Sequence, residues 1–175
     1  MMIRRALTVT LLAGGLAACG SEPAAPARPE PTVVSVNRSA DTQYFDATTK
    51  LTVEQVTLNF YPTQGAVLGL GEGKQFVRVA LAVENTGQKE FRLNFTNYTL
   101  KLPDGTQEDT TFLINDGNVS DQLKSATLQP GQTVKGALYF EAPATATAAT
   151  LGMTYKGYVD GKETSFDVAL AGSRP

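Results

Sequence analysis

Histidine and tryptophan are absent from this 175-residue chain, and cysteine occurs once. Without histidine there is no Ser-His-Asp relay, no Cys-His pair and no imidazole cage for a metal, so the commonest catalytic constellations have no members here. One cysteine cannot form a disulfide within the chain, and apolar packing must hold the fold together. Charge of either sign is scarce: 15 Lys and Arg stand against 17 Asp and Glu, with no basic excess of the kind that marks a nucleic-acid footprint. The apolar run over residues 6–16 falls short of the roughly 20 residues that span a bilayer. No Gly-x-Ser-x-Gly elbow occurs. Gly69, Gly71 and Gly73 recur at a spacing of two, which fails the dinucleotide fingerprint. These gaps lead to the expectation of no enzyme and no cofactor.

What is present begins with an address. Arg4 and Arg5 precede the apolar run, which ends in Leu16-Ala17-Ala18-Cys19-Gly20. A basic start, a short apolar segment and small residues make an export signal. The last five residues match the bacterial lipoprotein box, against the plainer alternative of an ordinary cleaved signal followed by an incidental cysteine. The resemblance to bacterial lipoproteins implies that residues 1–18 are removed and that Cys19 becomes the first residue, carrying acyl chains. Removal of Arg4 and Arg5 leaves 13 basic residues against 17 acidic ones, a net of −4. Each buried methylene adds about 0.8 kcal/mol, so two or three chains anchor a protein that a single chain would hold only marginally. The expected partner is therefore a membrane, through covalent lipid, in the cell envelope: the outer membrane or the periplasm-facing membrane of a diderm, or the surface of a monoderm. Gly20, where some lipoproteins carry aspartate, resembles the pattern of those sent onward to an outer membrane.

Residues 19–31 hold four prolines with alanines and few apolar side chains. Such a stretch favours extended polyproline II and, at about 3.1 Å per residue, reaches on the order of 35 Å. It reads as a tether, with a leader lacking any spacing role as the alternative.

From residue 32 to 175 the texture turns to β-branched and aromatic residues with turn signals between them. Residues 32–36 and 51–60 read as strands. The second changes phase, with Leu51 and Val53 on one face and Val56, Leu58 and Phe60 on the other, which predicts a bulge near Glu54-Gln55. Residues 75–84 alternate most clearly, with Val77, Val79, Leu81 and Val83 on one face. Asn85-Thr86-Gly87 reads as a turn whose residues tolerate positive φ. Phe91, Leu93 and Phe95 are out of phase with Tyr98, Leu100 and Leu102, placing a break at Thr96-Asn97. Pro103-Asp104-Gly105 and Gln129-Pro130-Gly131-Gln132 are turns. Val134, Gly136, Leu138 and Phe140 form one face of a further strand. Residues 143–150 read as a loop, and Asp160-Gly161 closes a last hairpin. About seven short strands at this spacing predict an all-β, immunoglobulin-like antiparallel β-sandwich.

Three features, in order, carry a further resemblance: residues 76–87 with their Asn-Thr-Gly turn, the Leu102-Pro103-Asp104-Gly105-Thr106 turn, and residues 128–143 with their Pro-Gly turn and following strand. Together the chain resembles, over about residues 45–170, the bacterial extracellular immunoglobulin-like domains of unknown function found in lipoproteins, related to a mycobacterial secreted immunoprotective antigen. The resemblance implies fold and location and offers no catalytic residues to transfer.

Two candidate sites remain. Asp104, Glu108, Asp109, Asp116 and Asp121 could offer oxygen ligands to calcium, although no EF-hand spacing is present and solvated turn carboxylates are the plainer explanation. In the loop over residues 61–73, Tyr61, Val67, Leu68 and Leu70 either form a lip for an envelope protein partner or fold over the sandwich as a cap. The functional expectation is a non-catalytic binding or interaction module. A structural envelope protein without a specific ligand is the alternative, and a carboxylate-dependent glycan hydrolase is the third.

Overall fold

Period-two alternation is longest in β4 (Lys74–Asn85), and this strand lies at the centre of the larger sheet. The structure, a computed structural model, describes residues 29–35, 42–44, 49–61, 70–113, 121–159 and 162–170. On one side of β4 runs β3 (Thr49–Leu58), and on the other β9 (Thr133–Pro143), both antiparallel. The register of β3 shifts between Val53 and Gln55. That is the expected bulge, and its effect is to keep Leu51, Val53, Val56 and Leu58 all buried in one core despite their change of phase. Two short strands, β1 (Thr32–Ser35) and β2 (Thr42–Tyr44), share the far edge of β3.

The facing sheet has the order β11 (Lys162–Ala169), β10 (Gly152–Val159), β6 (Tyr98–Lys101), β7 (Gln107–Asp109), and a small third sheet pairs β5 (Phe91–Leu93) with β8 (Ala126–Leu128). Val77, Val79, Leu81 and Val83 of β4 share one buried core with Leu100, Met153 and Tyr155 of the facing sheet and with Leu170. The chain is thus an antiparallel β-sandwich, as its alternation predicts. The strand count differs: the described residues hold eleven strands, where the sequence reads about seven. Six of the eleven are only three or four residues long, too short for alternation to register.

Both ends of β4 carry a buried amide on the core-facing row. Gln75, 1% exposed, accepts from the Asn59 backbone N–H (2.9 Å) through Oε1 and donates through Nε2 to the carbonyls of Pro143 and Ala146 (2.9 Å each). Asn59 takes a left-handed φ of 50°, which asparagine tolerates better than most residues. At the other end Asn85 is 0% exposed. Its Nδ2 donates to the carbonyls of Lys89 (2.7 Å) and Leu128 (2.8 Å), and its Oδ1 accepts from the Gly87 N–H (3.0 Å). Its backbone N–H donates to Gln132 O, and its carbonyl accepts from Gly131 N–H. The turn at 85–87 therefore forms for a different reason from the one read in the sequence: neither Asn85 nor Gly87 has positive φ, and the asparagine acts as a hydrogen-bonding hub.

The two other turns form as expected. Gly105 (φ 86°) accompanies a bond from its N–H to the Leu102 carbonyl, and Gly131 (φ 77°) sits inside a bond from Gln132 N–H to Gln129 O. The break at Thr96-Asn97 is a 3-10 turn over Phe95–Asn97, and a second such turn, Ala148–Thr150, lies in the predicted loop. Asp160 and Gly161 lie outside the described residues, though Val159 pairs with Lys162 as a two-residue hairpin requires. The Tyr98 hydroxyl is buried without a hydrogen-bond partner, beside the Tyr155 ring at 5.0 Å. Burial first, and then Tyr155, push its pKa well above the usual tyrosine value.

Two substitutions test this frame. A Cβ on Gly136 would lie 2.7 Å from the Leu123 Cα and 2.9 Å from its backbone nitrogen. Gly136→Ala is expected to cost about 1–3 kcal/mol in urea unfolding, and an unchanged midpoint would show that Leu123 does not approach this closely. Asn85→Ala leaves the buried Leu128 carbonyl and the part-buried Lys89 carbonyl without their donor and is expected to lose about 1–3 kcal/mol. Amide exchange accelerated most in the turns at 85–90 and 129–132 marks a hub, and uniform acceleration across the sandwich would overturn that role.

Candidate functional site

The alternation that sends Val77 and Val79 into the core sends Phe76 and Arg78 to the opposite face of the same sheet, with Ala137 and Tyr139 of β9 beside them. On this outer face a second, smaller apolar cluster forms from Phe76, Leu113, Ala137 and Tyr139, with Phe60 and Leu70 packed against it. The Phe60 and Tyr139 rings are 5.3 Å apart.

Two segments, residues 111–113 and 121–123, form a strap along the same edge. The Thr111 N–H donates to the Tyr139 carbonyl (2.7 Å). Further along, the Ala137 N–H donates to Asp121 O (2.7 Å) and the Leu123 N–H to Ala137 O (2.8 Å), a brief parallel bridge along β9. Side chains close the clasp. Arg78 donates from Nε to Asp121 Oδ2 at 3.1 Å and also pairs with it through Nη2. Tyr139 donates its hydroxyl proton to Asp121 Oδ1 at 2.7 Å, and Arg78 Nη1 reaches Gln55 Oε1 at 3.4 Å.

Electrostatics follow from this geometry. Desolvation alone would raise the Asp121 pKa, but the hydrogen bonds from Arg78 and Tyr139 and the Arg78 charge outweigh it and hold the carboxyl below its ordinary value. Burial and then the bond to Asp121 raise the Tyr139 pKa, so the phenol stays protonated and donating. Arg78 is partly desolvated, which alone would lower its pKa; its bond to Asp121 reverses that. All three groups face one another. Both carboxylate oxygens of Asp121 are engaged, so the arrangement fastens the strap to the sheet.

The sequence-based candidates are distributed differently from one site. Asp104 accepts from the N–H (2.9 Å) and hydroxyl (2.7 Å) of Thr106 within its own turn, and these bonds lower its pKa. Glu108 lies 3.9 Å from Lys74, and Asp109 stands opposite Thr99 in the β6–β7 pairing. Asp121 belongs to the clasp, and Asp116 lies outside the described residues. Among the described residues no three acidic or sulfur side chains gather where they could hold a metal ion. In the loop, Leu70 packs on the outer-face cluster, and Tyr61 is partly buried at the loop's start. Leu70 thus lies against the outer face of the larger sheet. Val67 and Leu68, like Cys19, lie outside the described residues. Sequence reading missed the clasp because its members are separated by 43 and 18 positions and only strand register brings them together.

Residues 30–164 match the family model described as a domain of unknown function, DUF4352. The chain belongs to the DUF4352 family. The DUF4352 match runs from just before β1 into the start of β11. No match was found among curated proteins. Among solved structures the chain is similar to ycdA of Bacillus subtilis, provisionally described as a lipoprotein (TM-score 0.55, 17% identity, 74% of this chain). This chain spans only 38% of that protein's length. It is also similar to yjhA of Bacillus subtilis (TM-score 0.52, 20% identity, 69% of this chain and 80% of that one). A functionally unknown protein of Listeria monocytogenes gives a TM-score of 0.53 at 13% identity, over 79% of this chain and 86% of that one. At these identities the likeness is one of fold. Among the described residues no helix is long and apolar enough to cross a membrane.

The clasp makes a pH prediction. A carboxyl whose folded pKa is depressed contributes stability above its unfolded pKa of about 3.9 and loses it as pH falls through the lower folded value. Asp121→Asn is therefore expected to unfold at lower urea than the wild type at neutral pH, with the gap closing in acid below the carboxylate range. A gap independent of pH would remove the ion pair as its cause.

Proposed function

We propose that this chain is an envelope lipoprotein whose β-sandwich serves as a non-catalytic interaction module, held by lipid on Cys19 and set off from the membrane by residues 20–31. The observation that carries the reading is the run from Arg4 and Arg5 through the apolar segment to Leu16-Ala17-Ala18-Cys19-Gly20, followed at once by the proline-rich stretch. Acylation there supplies the durable anchor that the export signal, once cut, no longer provides. The structural likeness to ycdA, itself provisionally described as a lipoprotein, supports the same address. The resemblance to the mycobacterial secreted antigen family supports export in the same coarse sense.

The non-catalytic half of the proposal draws support from where the polar side chains are engaged. Arg78, Asp121 and Tyr139 bond to one another, Gln75 and Asn85 bond to loop backbone, and Asp104 closes its own turn. A carboxylate, phenol or amide held in such bonds is less free to move protons for a substrate. The β-sandwich then offers surfaces, which is what an interaction module requires.

The test is the anchor. Cys19→Ala in the producing bacterium is expected to lose incorporation of labelled palmitate and to move from the detergent to the aqueous phase on partition. A variant that still partitions wholly with detergent would overturn the proposal.

A further inference from the structure

The tether joins the sandwich at one end, and strand pairing says which. Thr32, the first residue of β1, stands opposite Leu58, the last residue of β3, and only a short way from Asn59, which Gln75 holds. Lys74 pairs with Pro143 at this same end, and the Ala144 N–H donates to Gly73 O at 2.8 Å. In the facing sheet Gly152, just past the 143–150 loop, pairs with Lys101, which leads into the Pro103-Asp104-Gly105 turn. The opposite end is gathered at Asn85, where the turns at 85–90 and 129–132 meet.

Resting on the lipid-anchored reading, we propose that the domain stands with its Gln75 end toward the lipid surface and its Asn85 end turned outward. Length decides the matter. Twelve-residue β4 spans about 40 Å. Residues 20–31 reach about 37 Å as polyproline II. For the Asn85 end to meet the head groups, the tether would have to double back along the whole sandwich at nearly full extension, surrendering its remaining freedom. The exposed outer end, with Gln88, Lys89 and the Glu90–Arg92 pair (3.5 Å), then becomes the face that other envelope components meet first.

The scarcity of cysteine makes this measurable, because the sole native thiol is the lipidated one. The full lipidated protein is prepared with one new thiol at a time, Glu72→Cys at the Gln75 end or Gln88→Cys at the Asn85 end, both on exposed turns. Thr145→Cys and Gln129→Cys are the second pair, should either first variant fold poorly. Each is labelled with a donor dye and inserted in phosphatidylglycerol–phosphatidylethanolamine vesicles bearing a head-group acceptor. The expected result is transfer several-fold more efficient from position 72 than from position 88. Equal or reversed transfer in protein that floats with the vesicles overturns the orientation alone. Absence of both transfer and flotation overturns the lipid anchor, and the orientation with it.

Discussion

A buried amide at each end of the central strand is the constraint on which the other parts depend. A row of valines and leucine gives β4 its place at the centre of the larger sheet, but valines cannot satisfy the carbonyls and N–H groups of loops that turn over the ends of a sandwich. Where such a group is buried, leaving it unpaired costs on the order of 1–3 kcal/mol. Gln75 and Asn85 answer this at opposite ends, each with one acceptor and two donor contacts to backbone. An amide suits the task because it offers donors and an acceptor without charge, and so avoids the far greater desolvation cost of a carboxylate or ammonium. With no disulfide possible within the chain, these two side chains fasten the loops at both ends of β4.

The outer face of the same sheet is handled by different means in its two halves. Toward the Gln75 end the face is apolar, and Leu70 and Leu113 cover it, with the Arg78–Asp121–Tyr139 clasp at the border. Toward the Asn85 end the face is left to solvent and carries cross-strand ion pairs, Lys50 with Glu84 at 3.8 Å and Lys135 with Glu54 at 2.5 Å. Exposed pairs of this kind add little stability. Their value is solubility on a flat β surface, which would otherwise invite association. The clasp is partly shielded and has the hydroxyl of Tyr139 as well as the guanidinium of Arg78, so it positions the strap in a way that the surface pairs cannot.

Much of the fold was legible because period-two alternation records burial directly. The bulge in β3, the break before Tyr98, and the Pro-Gly and Pro-Asp-Gly turns all left local marks that single residues or a phase change reveal. What escaped was non-local. The clasp depends on register between β4, β9 and a strap remote in sequence, and three-residue strands such as β5 and β7 exist only because a partner holds them extended. One missed signal was nonetheless available. Continuing the buried row of β4 one step beyond Val77 and Val83 arrives at Gln75 and Asn85, and an amide on a core-facing row demands partners. The acidic cluster misleads for the converse reason: nearness in sequence does not survive folding when Asp104 closes a turn and Asp121 faces the other sheet.

These observations bear on where interaction can occur. The polar groups that the fold gathers are engaged with one another, and the large apolar side chains are engaged in two cores; among the described residues only Val33 and Phe112 are large hydrophobics with more than half their surface exposed. Phe112 is the more interesting of the two, since it lies 5.8 Å from the Phe95 ring at the point where the strap leaves β9. It joins the strap to the 3-10 turn over Phe95–Asn97 by a tilted aromatic contact while most of its own surface stays exposed. The two buried amides determine where the loop ends lie, and a change at Gln75 or Asn85 would alter the shape of an end before it altered the sheet.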